Sequence, residues 1–214
     1  MRVLNVLVIC FVFLLTSCGS SYLTSSENVS KTKREYDKVL VVGRSKDNTS
    51  RIKFESEVVK TLKENGVDAK ASYEVEGTKD LMNKLSESQI QSLKQKLVTQ
   101  GFDGAILTNL INTEEYTDVL PGSTSTAYVP ARYGRFGRYV GYYPITTWEP
   151  DELKTGIKYV FESSFYNLSK KTGDNLEWVG RFELKDPSSI ERTTSIYSKE
   201  LVQALLKNNI QTKK

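Results

Sequence analysis

The 214-residue chain has no histidine, and its only two cysteines, Cys10 and Cys18, lie close to the N-terminus. Without histidine, the commonest general base and the commonest transition-metal ligand are missing. With no thiol after residue 18, a zinc site, a Ser-His-Asp triad and a Cys-His dyad are excluded as well. Carboxylate, lysine or tyrosine chemistry is all that remains. No apolar run reaches the roughly 20 residues that a spanning helix needs. Charge of one sign is also lacking: 30 Lys+Arg face 26 Asp+Glu, a net of +4. So mild a balance does not argue for a nucleic-acid partner. There is no long internal repeat and no second linker.

What the N-terminus does have is Arg2, the apolar stretch Val3 to Leu15, the small residues Thr16 and Ser17, and then Cys18. A positive start, an apolar core and small residues before a cut make a secretory signal. Cysteine directly after Leu15-Thr16-Ser17 looks like the lipobox of a bacterial lipoprotein precursor. In the proteins it resembles, the Cys18 thiol receives a diacylglyceryl group, cleavage follows Ser17, and the new amine is acylated. Each buried methylene contributes about 0.8 kcal/mol; one chain holds marginally and several hold firmly. Residues 1–17 are thus expected to be a signal peptide, with acyl chains on Cys18 as the membrane attachment. Their removal takes Arg2 and no acid, leaving 29 basic against 26 acidic side chains, a net of +3. The mature chain then has no free thiol, and no metal or cofactor is expected.

The tract from Gly19 to Tyr36 is rich in Ser, Thr, Lys and Asn, so residues 18–36 read as a flexible tether. Its basic residues Lys31, Lys33 and Arg34 either are solvated or touch anionic headgroups. Residues 37–214 are enough for one sizeable core. Lys38 to Gly43 is a continuous apolar run of buried-strand type. Arg51 to Glu64 is helical, capped by Thr49 or Ser50 and ended by Asn65-Gly66, with Ile52, Val58, Val59 and Leu62 facing the core. Val67 to Val75 alternates as a second strand. A capping box at Ser86 to Gln89 opens a helix carrying Ile90, Leu93, Leu97 and Val98, and Gly101 stops it. Phe102 to Asn112, extendable to Leu120, is a third strand. Gly156 to Leu168 and Leu176 to Leu184 form a hairpin turning at Lys170 to Asp174. A second capping box, Ser188 to Glu191, opens the final helix, which buries Ile190, Thr194, Tyr197, Leu201 and Leu205. Strands alternating with helices favour parallel crossovers. The expected fold is α/β: a mixed sheet, with parallel crossovers plus a C-terminal antiparallel hairpin, and three packed helices.

Several of these segments carry a resemblance. The strand Lys38-Val39-Leu40-Val41-Val42, the helix with Arg51 and Glu55, Gly101-Phe102-Asp103-Gly104-Ala105-Ile106-Leu107, Phe165-Tyr166-Asn167-Leu168, Glu177-Trp178 and the closing helix are similar to small envelope lipoproteins. The group resembled comprises the curli-secretion lipoprotein, the N-terminal domain of the Tol-system translocation protein, and lipoprotein activators of peptidoglycan synthases. The resemblance covers Lys38 to Leu206 apart from a Tyr-rich insertion. It implies the fold and an accessory, non-enzymatic role, and it assigns no functional residue.

That insertion, residues 121–150, is the most unusual piece of the chain. It contains Arg132-Tyr133-Gly134, Arg135-Phe136-Gly137 and Arg138-Tyr139, followed by Tyr142 and Tyr143. A three-residue period fits neither strand nor helix. Arginine forks and aromatic faces are what binding surfaces use. Two readings are open: an extended hairpin whose aromatics lie over the sheet, or a recognition surface from Gly122 to Trp148. On the second, Arg132, Tyr133, Arg135, Phe136, Arg138, Tyr139, Tyr142 and Tyr143 are the partner-binding candidates. Trp148 and Trp178 read as packing residues. Gly43 to Arg51, between a strand and a helix start, reads as a capped turn sooner than as an anion site. Arg51 and Glu55, four apart, read as an exposed pair contributing about 0.3–0.5 kcal/mol. Glu114, Glu115, Asp118, Glu149, Asp151 and Glu152 flank the insertion, but no spacing singles out a catalytic pair.

These readings combine into a lipid-anchored periplasmic binding or accessory protein without catalysis, with an envelope protein or glycan as partner and no nucleic acid. Gly19 stands where an aspartate would favour the inner membrane in the sorting rule such proteins resemble, so the outer membrane is expected. Three alternatives stay open: an oligomeric secretion or assembly component of the outer membrane, a carboxylate-dependent glycan hydrolase, and a purely structural envelope protein with no specific ligand.

Overall fold

A computed structural model describes residues 21–30, 32–78, 81, 83, 85–133, 139–170 and 175–211. Cys18 and the expected signal peptide lie outside them. The chain divides into two units. One holds the described residues up to Asn112 and from Val160 onward; the other is Thr113–Tyr159. Both boundaries fall inside long strands.

The first unit is α/β, as its alternating pattern predicts. Its strands are β1 (Leu23–Asn28), β2 (Arg34–Glu35), β3 (Val39–Arg44), β4 (Ala69–Ala71), β5 (Gly104–Leu120), β8 (Glu152–Asn167), β9 (Leu176–Lys185) and β10 (Ile210–Gln211). Its helices are α1 (Asn48–Glu64), α2 (Glu87–Thr99) and α3 (Ile190–Asn208). Six strands form one sheet in the order β1-β9-β8-β5-β3-β4. β3 runs parallel to both β4 and β5, while β1 runs antiparallel to β9. The short connection from β8 to β9 permits only an antiparallel pairing.

From β3 the chain crosses through α1 to β4 at one edge, then returns through α2 to β5 on the other side of β3. The two crossovers run in opposite directions along the sheet. With one common hand they place α1 and α2 on opposite faces. Gly43 on β3 abuts Phe54 and Glu55 of α1, while Leu40 and Val42 point the other way to Leu97 of α2. α3 packs beside α1. Its Tyr197 is the hub of that face: Phe182 stacks on its ring at 4.1 Å, and Phe54 and Phe161 meet it edge-on at 5.4 and 6.0 Å. Val39, Val41, Val58, Leu62, Ile106, Phe165, Leu201 and Leu205 complete this core.

The helix signals resolve with small shifts. Asp47, not Thr49 or Ser50, caps α1, accepting from the Thr49 and Ser50 N–H groups. The Ser86–Gln89 capping box forms. α3 is capped by Ser189, which accepts from Arg192 N–H, one residue later than the expected box. Gly66 and Gly101 adopt φ of 77° and 85° after α1 and α2, the left-handed turns that the sequence suggests. Val58 and Leu62 are buried as expected, but Ile52 is exposed. On α2 only Leu97 is buried, with Ile90 and Val98 exposed. The second strand is shorter than expected: β4 gives way at Ser72 to a single 3-10 turn, Ser72–Glu74.

The tether expectation fails over the described part of residues 18–36. Leu23–Asn28 pairs with β9, and Arg34–Glu35 pairs in parallel with β10. Glu200 on α3 accepts from Ser21 Oγ, Tyr22 N–H and Leu23 N–H at 2.8–3.1 Å. Trp178 donates its indole N–H to Ser26 Oγ at 2.9 Å, and Lys33 donates to Leu206 O at 2.7 Å. Backbone pairing and side-chain clips order this polar stretch, and Tyr36 at its end is buried edge-on against Phe165 at 4.9 Å. β1 is an edge strand, exposed at all but its first residue, so no hydrophobic alternation marks it in the sequence.

Candidate functional site

The second unit, Thr113–Tyr159, contains the ends of β5 and β8 and a hairpin of β6 (Thr124–Tyr133) with β7 (Tyr139–Trp148). The hairpin register is unbroken, from Thr124 opposite Trp148 to Tyr133 opposite Tyr139. Thr and Ser pairs stitch its first rungs: Ser125 with Thr147 at 2.7 Å and Thr126 with Thr146 at 3.3 Å. Side-chain alternation puts Tyr128, Tyr142 and Trp148 on one face, and Val129, Tyr143 and Ile145 on the other. The insertion is therefore a regular β-ribbon. The Arg-aromatic-Gly period that seemed to forbid a strand spans residues 132–139, and its central part lies outside the described residues.

The base of the hairpin is closed by carboxylates. Glu149 accepts from Ser123 Oγ at 2.6 Å, and Asp151 accepts from Gly122 N–H at 2.8 Å. A Cβ on Gly122 would stand 1.8 Å from Glu149 O, so the crossing admits glycine alone. Glu114 pairs with Lys158 at 2.7 Å. These acids, which flank the insertion in sequence, serve here as turn and pairing residues.

No residue of the second unit whose side chain is described is buried. Eleven of the eighteen large apolar side chains exposed among the described residues belong to it: Val119, Leu120, Tyr128, Val129, Val140, Tyr142, Tyr143, Ile145, Trp148, Leu153 and Ile157. Tyr128, Tyr142 and Trp148 are 68–69% exposed. A two-stranded ribbon by itself is at best marginally stable in water, and apolar patches of this kind mark interaction surfaces. Of the expected contact residues, Tyr142 and Tyr143 are exposed on the ribbon. Arg132, Tyr133 and Tyr139 lie at the ends of its strands. Arg135, Phe136 and Arg138 fall outside the described residues. Tyr128 and Trp148 were missed as surface residues. Trp148, read as packing, is exposed, whereas Trp178 is fully buried as expected.

The first unit carries three polar constellations. Glu55, far from forming an exposed pair with Arg51, is fully buried. It accepts from Gly43 N–H at 2.9 Å, from Ser72 Oγ at 2.8 and 2.9 Å, and from Tyr73 N–H at 3.4 Å. Burial pushes its carboxyl above the usual range, against the pull of those hydrogen bonds and the charge of Arg51. It fills the crevice beyond the ends of β3 and β4, where open α/β sheets usually take ligands. Asp47 similarly occupies the N-terminus of α1, which excludes the anion site considered for Gly43 to Arg51. Nothing in the local sequence around Glu55 distinguishes it from a surface residue; only the approach of Ser72 does.

The second constellation is a buried hydroxyl chain, Thr108–Ser163 at 2.6 Å and Ser163–Tyr197 at 2.9 Å. Burial pushes the Tyr197 hydroxyl well above its ordinary value, and the chain holds no carboxylate or amine to act as base. Its geometry suits core cross-linking. The third centres on Glu177, buried, with Lys170 Nζ at 2.9 Å. Burial, the largest effect, pushes its carboxyl up, but hydrogen bonds from Lys170 and Ser30 and the charges of Lys170 and Arg34 outweigh it and hold the group below the usual range. Among the described residues, no cluster of three or more His, Cys, Asp or Glu can hold a metal, and no helix is long and apolar enough to cross a membrane.

No protein-family model and no curated protein matches the chain. Solved structures similar to it include the PelC dodecamer from Paraburkholderia phytofirmans, at 8% identity over 88% of this chain and 99% of that one, TM-score 0.45. Another is lipoprotein GNA1162 from Neisseria meningitidis, at 11% identity over 80% and 99%, TM-score 0.39. A third is a PDZ domain protein from Parabacteroides distasonis, at 11% identity over 79% and 31%, TM-score 0.31. Likenesses this distant assign no role to the chain.

Proposed function

We propose that this chain is a lipid-anchored accessory protein of the bacterial envelope that works by binding, without catalysis of its own. Acyl chains on Cys18 hold it to the outer membrane, with the α/β unit on the periplasmic side. The hairpin from Gly122 to Trp148 is its contact surface for an envelope protein or glycan. The observation that carries this reading is that no described side chain of the second unit is buried, together with the exposed Tyr128, Tyr142, Tyr143 and Trp148. Aromatic side chains supply large contact area at low entropic cost, which is why they are enriched where binding energy concentrates. The absence of histidine, and of a free thiol once Cys18 is acylated and residues 1–17 are removed, fits a non-enzymatic role.

A second reading is favoured by the ribbon's edges. Among the described residues β6 and β7 pair only with each other, so each offers an outer row of N–H and C=O groups that another copy's strand can take. On that reading the protein is an oligomeric assembly component. Replacing Tyr128, Tyr142 and Trp148 together by Ser tests both. Loss of crosslinked partners and of phenotype in intact cells, with native mass unchanged, supports the binder. A fall in native mass supports the oligomer. If partners, phenotype and native mass all stay unchanged, the hairpin is not a contact surface.

A further inference from the structure

The N-terminal segment is docked, and this limits where an anchor on Cys18 can sit. Ser21 Oγ, Tyr22 N–H and Leu23 N–H all donate to the Glu200 carboxylate on α3. From there β1 runs along the edge of the sheet, paired with β9. Only Gly19 and Ser20 separate Cys18 from Ser21. Three residues of extended chain reach about 11 Å at most, roughly the diameter of one helix with its side chains. Acyl chains on Cys18 would therefore enter a bilayer beside α3, and the domain could not swing away from them while that contact holds.

The outer face of α3 suits that position. Arg192, Lys199, Gln203 and Lys207 are exposed. They lie seven, four and four residues apart, on one stripe of the helix about 22 Å long. Ile196 and Leu206 are half-buried along the same stripe. Lys33 adds a fourth cation, its ammonium fastened to Leu206 O at 2.7 Å. The acids of α3 and β1 are engaged or turned away. Glu191 pairs with Lys53 of α1 at 3.7 Å, and Glu200 holds the N-terminal segment. Glu27 lies opposite Val179, three residues from Phe182, whose ring stacks on Tyr197 of α3. Side-chain alternation therefore sends Glu27 to the other face of the sheet.

We infer that this stripe of α3 is a membrane-apposed surface for anionic phospholipid headgroups. The β1–β9 edge of the sheet is turned toward the bilayer, and the opposite edge strand, β4, is turned away. The inference rests on the acyl anchor proposed above and deepens it. The attachment point brings the stripe to the headgroups, and its charges hold it there. Basic side chains at an anionic surface each contribute roughly a fivefold gain in binding, and both guanidinium and ammonium groups pair with phosphate.

The test uses the full-length, detergent-extracted protein in phosphatidylethanolamine vesicles. These contain a phosphatidylglycerol whose headgroup carries a photoreactive diazirine, and adducts are mapped by peptide. Labelling of Ile190–Asn208 should exceed that of Ala69–Ala71 about tenfold, and Arg192→Gln, Lys199→Gln and Lys207→Gln together should remove that excess. A phosphatidylcholine with the same diazirine should label α3 only weakly. If the triple variant fails to fold, comparison of the two probes on the unmodified chain decides. Flotation with the vesicles separates two kinds of failure. A chain left in the soluble fraction refutes the acyl anchor and this inference with it. A chain that floats but is labelled no more on α3 than on β4, or equally by both probes, overturns this inference alone.

Discussion

A carboxylate sealed at the end of β3 resists ionisation, and this gives Glu55 a defined imprint on stability. Its folded pKa is raised, so the fold binds its proton more tightly than the unfolded chain does. The associated stability is present below the ordinary 4.5 and is lost as pH rises through the raised folded value. Glu177 is the reverse case: its folded pKa is lowered, so its contribution is present above 4.5 and is lost as pH falls through the depressed value. Denaturant titrations over pH should therefore show Glu55→Gln flattening the decline on the alkaline side of 4.5, and Glu177→Gln flattening the acid limb. A Glu55→Gln profile that matches the parent's would contradict the assignment. Glu55→Ala strands the Gly43 and Tyr73 N–H groups and should cost roughly 3 kcal/mol at neutral pH. At Gly180, an added Cβ would stand 2.2 Å from the Trp178 ring. Gly180→Ala must displace that indole, and equilibrium unfolding should register a loss of about 1–3 kcal/mol.

Elements differ in how much of them is written locally. β3, α1, the capped α2, β5, the β8–β9 pair and α3 announce themselves through apolar runs, 3.6-residue periodicity and caps, because each buries a face of its own side chains. β1, β2 and β10 announce nothing. They are held by main-chain pairing to β9 and to each other, and by Glu200 and Asn209, which are remote in sequence. Glu55 was misread for the same reason: its partners Gly43 and Ser72 are brought to it by the crossover. In the insertion, the hairpin was one of two readings the sequence left open, and β6 pairs with β7 as that reading expects; the exposure of its aromatics, in place of packing over the sheet, was not legible. Because Tyr128, Tyr142 and Trp148 are 68–69% exposed, replacing all three by Ser should leave the thermal midpoint of the isolated protein within about 1–2 °C of the parent, as expected for surface substitutions. A drop of many degrees would mean that the ribbon supports the core.

At the scale of the whole molecule, one unit has a two-faced core and the other has none. The first can persist alone: α1 and α3 seal one face of the sheet, and Tyr197 ties β9, β8 and α1 together through its ring contacts. The second displays aromatic and aliphatic side chains on both faces of a ribbon with open edges. Acylation at Cys18 would keep such a surface beside the membrane and its partners, and the intact mass of the purified protein reports it directly. The most direct measurement is amide hydrogen exchange across Thr124–Tyr133 and Tyr139–Trp148, in isolated protein and in native envelope membranes. A coreless contact ribbon predicts fast exchange in isolation and protection rising at least tenfold in the envelope, while α1 and α3 stay equally protected in both. Strong protection in the isolated monomer, or none gained in the envelope, would contradict it.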